Sequence, residues 1–234
     1  MELKGKIALV CGASGNLGLP LIESLVEEGV FVYGQHRSTI PSKSISKSKN
    51  VQWIECNLSN PNSASELVEK VIVKAGKLDL LINLIGAFQQ KDLSQTSSWE
   101  WRQIIDSNLN LSFDLAQAAL PQLRKSGSGR ILFFGYAGAT NPKAKISLLP
   151  YQIAKSGLVL LTRGLAKSEA KNHILVNCLS PGVSEASDYH PKTAEPLPLN
   201  RPATRGEISE AAIFLLRSDY LTGQNLELDG AWQA

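Results

Sequence analysis

The chain has 234 residues, 43% of them apolar and 19% charged, and a formal net charge of +3. That is enough apolar material for one large domain with a filled core. The charge is too small, and too evenly mixed with Asp and Glu, for a nucleic-acid-binding surface.

In chain order, the apolar run Ile7–Val10 leads to a helical pattern near 18–28, and Val30–Tyr33 follows. Ser38–Asn50 is polar and serine-rich, so its lysines (Lys43, Lys47, Lys49) read as a solvated loop rather than a phosphate patch. Then come Val51–Glu55, a helix near 63–75, Leu78–Asn83, a helix near 99–125, Arg130–Phe134, a helix near 151–171 and Ile174–Leu179. Ser184–Pro202 has no periodicity and carries Pro191, Pro196, Pro198 and Pro202, which predicts a substrate lid near 184–202. A helix near 206–217 and the run Asn225–Leu228 complete the series. Short continuous apolar strands joined by crossover helices predict an α/β fold. It is a single-domain (1–234), doubly wound, Rossmann-type parallel sheet of about seven strands with helices on both faces.

Met1-Glu2-Leu3-Lys4-Gly5-Lys6 enters the first strand with no signal-peptide pattern. No run approaches the ~18 apolar residues of a membrane span. Cys11, Cys56 and Cys178 are odd in number, at unrelated spacings, in or beside apolar runs. Buried free thiols are expected, with no disulfide and no metal site. The expectation is a cytoplasmic protein with no membrane or nucleic-acid partner.

Between the first strand and first helix stands Cys11-Gly12-Ala13-Ser14-Gly15-Asn16-Leu17-Gly18. Glycines there allow a tight turn and bring backbone N–H groups close to a pyrophosphate, which the helix N-terminus favours. Pro20 suits a first helical turn. The second strand ends in Gln35-His36-Arg37-Ser38. A carboxylate at this point would accept from a ribose 2′-hydroxyl; here Arg37 and Ser38 offer donors to a 2′-phosphate instead. NADP(H) is therefore preferred, with NAD(H) possible.

This turn resembles that of the short-chain dehydrogenase/reductase family, Thr-Gly-x-x-x-Gly-x-Gly, with Cys11 for Thr and Asn16 at the middle glycine. Asn tolerates left-handed backbone angles, so the turn is expected to survive. Other matches run along most of the chain. Asn57-Leu58 resembles the family's adenine-contacting Asp-Val, and Asn83-Leu84-Ile85-Gly86 resembles its Asn-Asn-Ala-Gly under the cofactor. Asn177 through Ser180-Pro181-Gly182-Val183 resembles its nicotinamide-contacting Pro-Gly turn, and Thr222 to Gly230 its C-terminal strand.

Tyr151-Gln152-Ile153-Ala154-Lys155 places a phenol and an ammonium on one helix face. A nearby cation favours the ionised phenol, and the resemblance implies that Lys155 also holds the nicotinamide ribose. It further implies that Asn108, in Ile105-Asp106-Ser107-Asn108, holds a water linking Lys155 to solvent. The family's substrate-orienting serine is missing: Gly129-Arg130-Ile131-Leu132-Phe133-Phe134-Gly135-Tyr136 puts Tyr136 in its place. Tyr136 either donates in the serine's stead or fills the pocket, and Ser147 is a weaker substitute. Pteridine reductases of the same family also lack the serine. Ala139-Thr140-Asn141-Pro142 and His36-Arg37-Ser38 resemble their sequences.

These readings imply an NADP(H)-dependent oxidoreductase. It would pass a hydride to a carbonyl or C=N of a small organic substrate, with Tyr151 as proton donor. A pteridine-reductase-like enzyme and a low-turnover NADP(H)-binding sensor or partner subunit are the alternatives. The helices near 99–125 and 151–171 carry apolar residues on more than one face (Leu111, Phe113, Leu115; Leu158, Leu160, Leu161). That predicts a homodimer or homotetramer.

Overall fold

The computed structural model describes residues 1–38, 44–60, 62–187 and 197–233. Seven parallel strands form one sheet in the order β3-β2-β1-β4-β5-β6-β7. They are β1 (Ile7–Cys11), β2 (Phe31–His36), β3 (Val51–Glu55), β4 (Leu80–Asn83), β5 (Arg130–Phe134), β6 (Leu175–Pro181) and β7 (Asn225–Leu228). The α-helices are α1 (Gly18–Glu27), α2 (Ser63–Ala75), α3 (Ser98–Ile105), α4 (Leu111–Ser126), α5 (Leu149–Glu169) and α6 (Arg205–Arg217).

The apolar strands are continuous because both faces are covered. Leu9, Leu81, Ile131 and Phe133 pack toward Leu67 of α2, Leu115 and Leu123 of α4, and Leu158 of α5. Their neighbours Ala8, Val10, Ile82 and Leu132 pack toward Leu21, Ile22 and Leu25 of α1 and Ile208 and Leu216 of α6. Helix starts follow local chemistry: Ser97 with Glu100 caps α3, and Thr204 with Glu207 caps α6, each as a reciprocal capping box. The order of strands reverses between β1 and β4, which opens a crevice at their carboxyl ends.

The single helix expected near 99–125 is instead α3, a five-residue π-helical turn Asp106–Asn110, and α4. Side chains compete for the helical carbonyls there. Asn108 Nδ2 donates to Ile104 O at 3.0 Å, Ser107 Oγ to Gln103 O at 2.7 Å, and Ser112 Oγ to Asn108 O at 3.1 Å. Within the expected loop 38–50, Ser44–Lys47 form a short 3₁₀ turn, while Lys43 lies outside the described residues. Of the lid segment, Ser184 bridges to Ala203, whereas Tyr189, His190, Pro191 and Pro196 lie outside the described residues. Strand ends also shift: β2 reaches His36 and β6 reaches Pro181, while Leu78 precedes β4. The three cysteines are buried and free.

The apolar surplus on α4 and α5 is smaller than the sequence suggested. Leu111, Leu115 and Leu158 are buried in the chain's own core and Leu161 packs against it, leaving Phe113 and Leu160 exposed. Leu115→Ala should therefore cost ~2–5 kcal/mol in a urea melt. A change below ~1 kcal/mol would contradict its place in the core.

Candidate functional site

The β1–α1 turn is set by two glycines. Gly12 has φ +78°, and a Cβ there would lie 3.1 Å from Ile85 Cγ1. At Gly18 a Cβ would stand 2.5 Å from the carbonyl oxygens of both Gly12 and Ala13. Asn16 is not in the left-handed region, so the turn does not rely on the conformational tolerance expected of it. The substitution is accommodated because the positive φ falls on Gly12. Gln35 fastens the turn from behind: its Oε1 accepts from Gly12 N–H at 2.9 Å and its Nε2 donates to Cys56 O at 2.7 Å.

In front of the turn, Gly12, Ser14, Arg37, Asn57 and Leu58 line one cavity of about 230 Å³. Five expected cofactor residues from three loops thus meet at the sheet's switch point. Ser38 is exposed just beyond β2, and Gly15 and Asn16 are exposed on the turn. Asn83 works inside the fold, accepting from Ile85 N–H at 3.1 Å and donating to Ser112 Oγ at 3.0 Å.

A second cavity of about 260 Å³ continues along the crevice. Its walls include Leu17, Phe88, Tyr136, Lys145, Tyr151 and Trp232, and Gly86, Pro181, Gly182 and Val183 also line it. Gly182 packs so closely on the end of β7 that a Cβ would lie 2.7 Å from Asp229 Cβ.

Tyr151 sits half-buried in the first turns of α5, with Phe88 and Tyr136 edge-on at 5.2 and 5.8 Å between ring centroids. Lys155 is buried, its Nζ donating to Phe134 O at 2.6 Å and standing 5.7 Å from the Tyr151 ring centroid. The two side chains share a face, as expected. Burial pushes the Tyr151 phenol above its ordinary range and brings the Lys155 ammonium down to about 8. Burial thus outweighs the expected field of the lysine, and the phenol of Tyr151 is harder to ionise than an ordinary one.

Asn108 is fully buried. Its Nδ2 is tied to Ala87 O at 2.8 Å and Ile104 O at 3.0 Å, while its Oδ1 has no hydrogen-bond partner. That oxygen lies 2.2 Å from where a Cβ on Gly86 would be, with Lys155 Nζ 3.1 Å from the same point. The cradle of Gly12, Gly18 and Gly86, with an orphaned acceptor beside a buried ammonium, suits a dinucleotide laid along the crevice.

Tyr136 lies in the cavity wall, its hydroxyl accepting from Gln152 Nε2 at 3.1 Å. Ser147 is not among the lining residues; its carbonyl accepts from Lys91 N–H at 2.8 Å. Sequence reading missed Gln152, whose amide also holds Lys143 O at 2.9 Å and Lys145 N–H at 2.8 Å. It missed Phe88, Lys145 and Trp232 too. Lys145 Nζ stands 4.8 Å over the Trp232 ring, and these residues come from three separate parts of the chain with no shared spacing. Among the described residues no His, Cys, Asp or Glu cluster could hold a metal ion, and no helix is long and apolar enough to cross a membrane.

A model of the family described as enoyl-(acyl carrier protein) reductase matches residues 12–232. The 3-oxoacyl-[acyl-carrier-protein] reductase FabG of Salmonella typhimurium is 31% identical, over 98% of each chain. The chain belongs to the short-chain dehydrogenase/reductase family. It is an oxidoreductase of that family. An acetoacetyl-CoA reductase from Acinetobacter sp. is 26% identical over 96% of each chain. Among solved structures, the TT0495 protein from Thermus thermophilus superposes with a TM-score of 0.87 at 30% identity, covering 97% of this chain and 98% of that one.

Gly86→Ala should be severe, because its Cβ displaces either Asn108 or the loop after β4. We expect a loss of ~1–3 kcal/mol in stability together with weakened binding of a nicotinamide cofactor, read by thermal melting and cofactor fluorescence. A variant that melts and binds like wild type would show that the Asn108 contact is not a constraint.

Proposed function

We propose that this protein is an NADP(H)-dependent reductase of a ketone carbonyl, with 3-oxoacyl thioesters as the substrate class. The observation that carries the reading is the position of Tyr151, a neutral phenol whose pKa burial raises further, in the wall of a mainly apolar cavity that also meets the Pro181-Gly182 turn. The names of the relatives point the same way, since they act on a 3-oxoacyl group and on acetoacetyl-CoA.

The nicotinamide, when bound, supplies the hydride. Gly12, Ser14, Gly15, Asn16, Gly18, Arg37, Ser38, Asn57 and Leu58 hold the adenosine and phosphate half. Leu17, Asn83, Gly86, Pro181, Gly182 and Val183 shape the nicotinamide half. Tyr151 donates its proton to the substrate oxygen as negative charge develops there. Lys155, mostly protonated at neutral pH, stabilises the phenolate left behind and binds the ribose. Asn108 Oδ1, buried and unpartnered, is placed to receive a water through which Lys155 regains a proton. Tyr136 takes the place of the missing serine as hydrogen-bond donor to the substrate. Ala186 and Ser187, at the start of the segment expected to act as a lid, line the cavity.

A second reading has one observation in its favour: four aromatic rings, Phe88, Tyr136, Tyr151 and Trp232, face the cavity. They would sandwich a flat ring, as in reduction of a cyclic C=N. Self-association is also part of the proposal, since Phe113, Ile153 and Leu160 are 46%, 42% and 69% exposed on α4 and α5. Light scattering at micromolar concentration should give a dimer or tetramer, and a monomer would overturn that part.

The catalytic reading is tested with acetoacetyl-CoA and a pterin as substrates and NADPH consumption as readout. Tyr151→Phe keeps the ring and removes the acid, so the rate should fall ~10²–10⁴-fold with NADPH binding retained. Wild-type turnover in that variant would refute the proton-donor role. Tyr136→Phe should slow turnover of the same substrate; unchanged turnover would make Tyr136 a filler. NADPH binding without turnover of either compound would favour a sensor.

A further inference from the structure

Lys145 stands half-buried in the loop before α5 and lines the cavity that holds Tyr151. Two contacts fix it. Its backbone N–H donates to Gln152 Oε1 at 2.8 Å, and its Nζ stands 4.8 Å over the Trp232 ring. Trp232 lies in the turn after β7, where Asp229 Oδ1 accepts from Ala231 N–H at 3.0 Å and Oδ2 from Gln233 N–H at 2.8 Å. A lysine usually carries its ammonium out into water, on a flexible stem. Here the ring keeps it at the cavity wall. Among the described lining residues Lys145 is the one charged side chain, and none is an acid. The carboxylates of β7 and its end are engaged elsewhere: Asp229 in its own turn, and Glu227 with Gly138 N–H and Asn225 Nδ2, each at 3.1 Å. Among the described residues no carboxylate pairs with Lys145.

We infer that Lys145 is a specificity residue, which binds an anionic oxygen group of the substrate while Tyr151 meets the carbonyl. This rests on the ketone-reduction reading above and narrows its substrate class to carbonyl compounds that carry an acid. The cavity wall is mainly apolar, so a charge there is weakly screened and attracts a matching anion more strongly than in water. Trp232 already holds the ammonium, so binding costs less of the stem's rotamer freedom. Lys155, 5.7 Å from the Tyr151 ring centroid, adds a second positive charge to this end of the crevice. Two sources supply such an anion: the carboxylate of a free oxo acid, or the phosphates of a thioester's carrier arm. The competing account is structural, with Lys145 bracing Trp232 against the loop. In that account the charge of the substrate makes no difference.

Three ketones with the same reacting group separate the accounts: acetoacetate, acetoacetyl-CoA and the uncharged N-acetylcysteamine thioester of acetoacetate. Their reduction at saturating NADPH is followed in wild type, Lys145→Gln, Lys145→Arg and Lys145→Glu, with a thermal melt of each. The readout is kcat/KM for each anionic compound divided by that for the uncharged thioester. In Lys145→Gln this ratio should fall about tenfold for at least one anionic compound, through KM rather than kcat. A fall with acetoacetate identifies a carboxylate as the group bound; a fall with acetoacetyl-CoA alone identifies a phosphate. Lys145→Arg keeps the charge and should keep most of the wild-type ratio, whereas Lys145→Glu should drop below Lys145→Gln. Ratios unchanged in every variant would overturn the inference in favour of the brace and leave the ketone reading standing. A wild-type protein that reduces none of the three compounds would overturn that reading and the inference with it. Should Lys145→Gln fail to fold, the Arg and Glu variants decide alone: equal ratios in the two contradict the role of Lys145.

Discussion

At Gly86 the end of β4, the π-helical turn and α5 converge on a point with no room for a side chain. Asn108 Oδ1 occupies the space a Cβ would need, and Lys155 Nζ stands beside it. This contact ties the β1–α1 end of the crevice to the Tyr151 end. Asn108 reaches it because the helix loosens into a π turn, and the turn is held by side-chain bonds to Ala87 and Ile104. Lys155 reaches it from one turn beyond Tyr151, anchored on Phe134 O at the end of β5. The loop after β4, the helix break and the Tyr151–Lys155 face are thus one packing solution.

Burial acts in opposite directions on the two titrating groups of this cluster. It disfavours charge on both, which raises the phenol of Tyr151 and lowers the ammonium of Lys155 to about 8. At neutral pH the lysine remains mostly charged and the tyrosine neutral. This combination suits proton donation to a reduced substrate better than proton abstraction from an alcohol. Substrate bound in the cavity would exclude water further and strengthen the lysine's influence on the phenol.

The fold was legible because its signals are local and repeated: seven short apolar runs, each separated by a crossover, with glycines between the first strand and helix. That Gly12, Arg37, Asn57, Tyr151, Lys155 and Asn108 come to lie along one crevice could be anticipated for the same reason, each standing at a fixed place relative to a strand end or helix start. What escaped was chemistry made by tertiary contact. Gln152 looks like any polar residue beside Tyr151, yet it is buried and braces Tyr136 and the 143–145 loop. Trp232 and Lys145 meet only because the end of the chain folds back on the cavity. The helix break at Asp106–Asn110 was hidden because its sequence keeps ordinary helical periodicity, and only competing side-chain bonds reveal it. The apolar positions on α4 and α5 looked like a partner's surface because periodicity does not say how many sides of a helix the chain itself covers.

The central claim is that neutral Tyr151, supported by charged Lys155, is the working form in the direction of reduction. The most direct measurement is the pH dependence of single-turnover NADPH oxidation by acetoacetyl-CoA. The rate should be level at neutral pH and fall as Lys155 loses its proton above about 8. A rate that instead rises steadily with pH through that range would mean that an ionised Tyr151 does the work, contrary to this account.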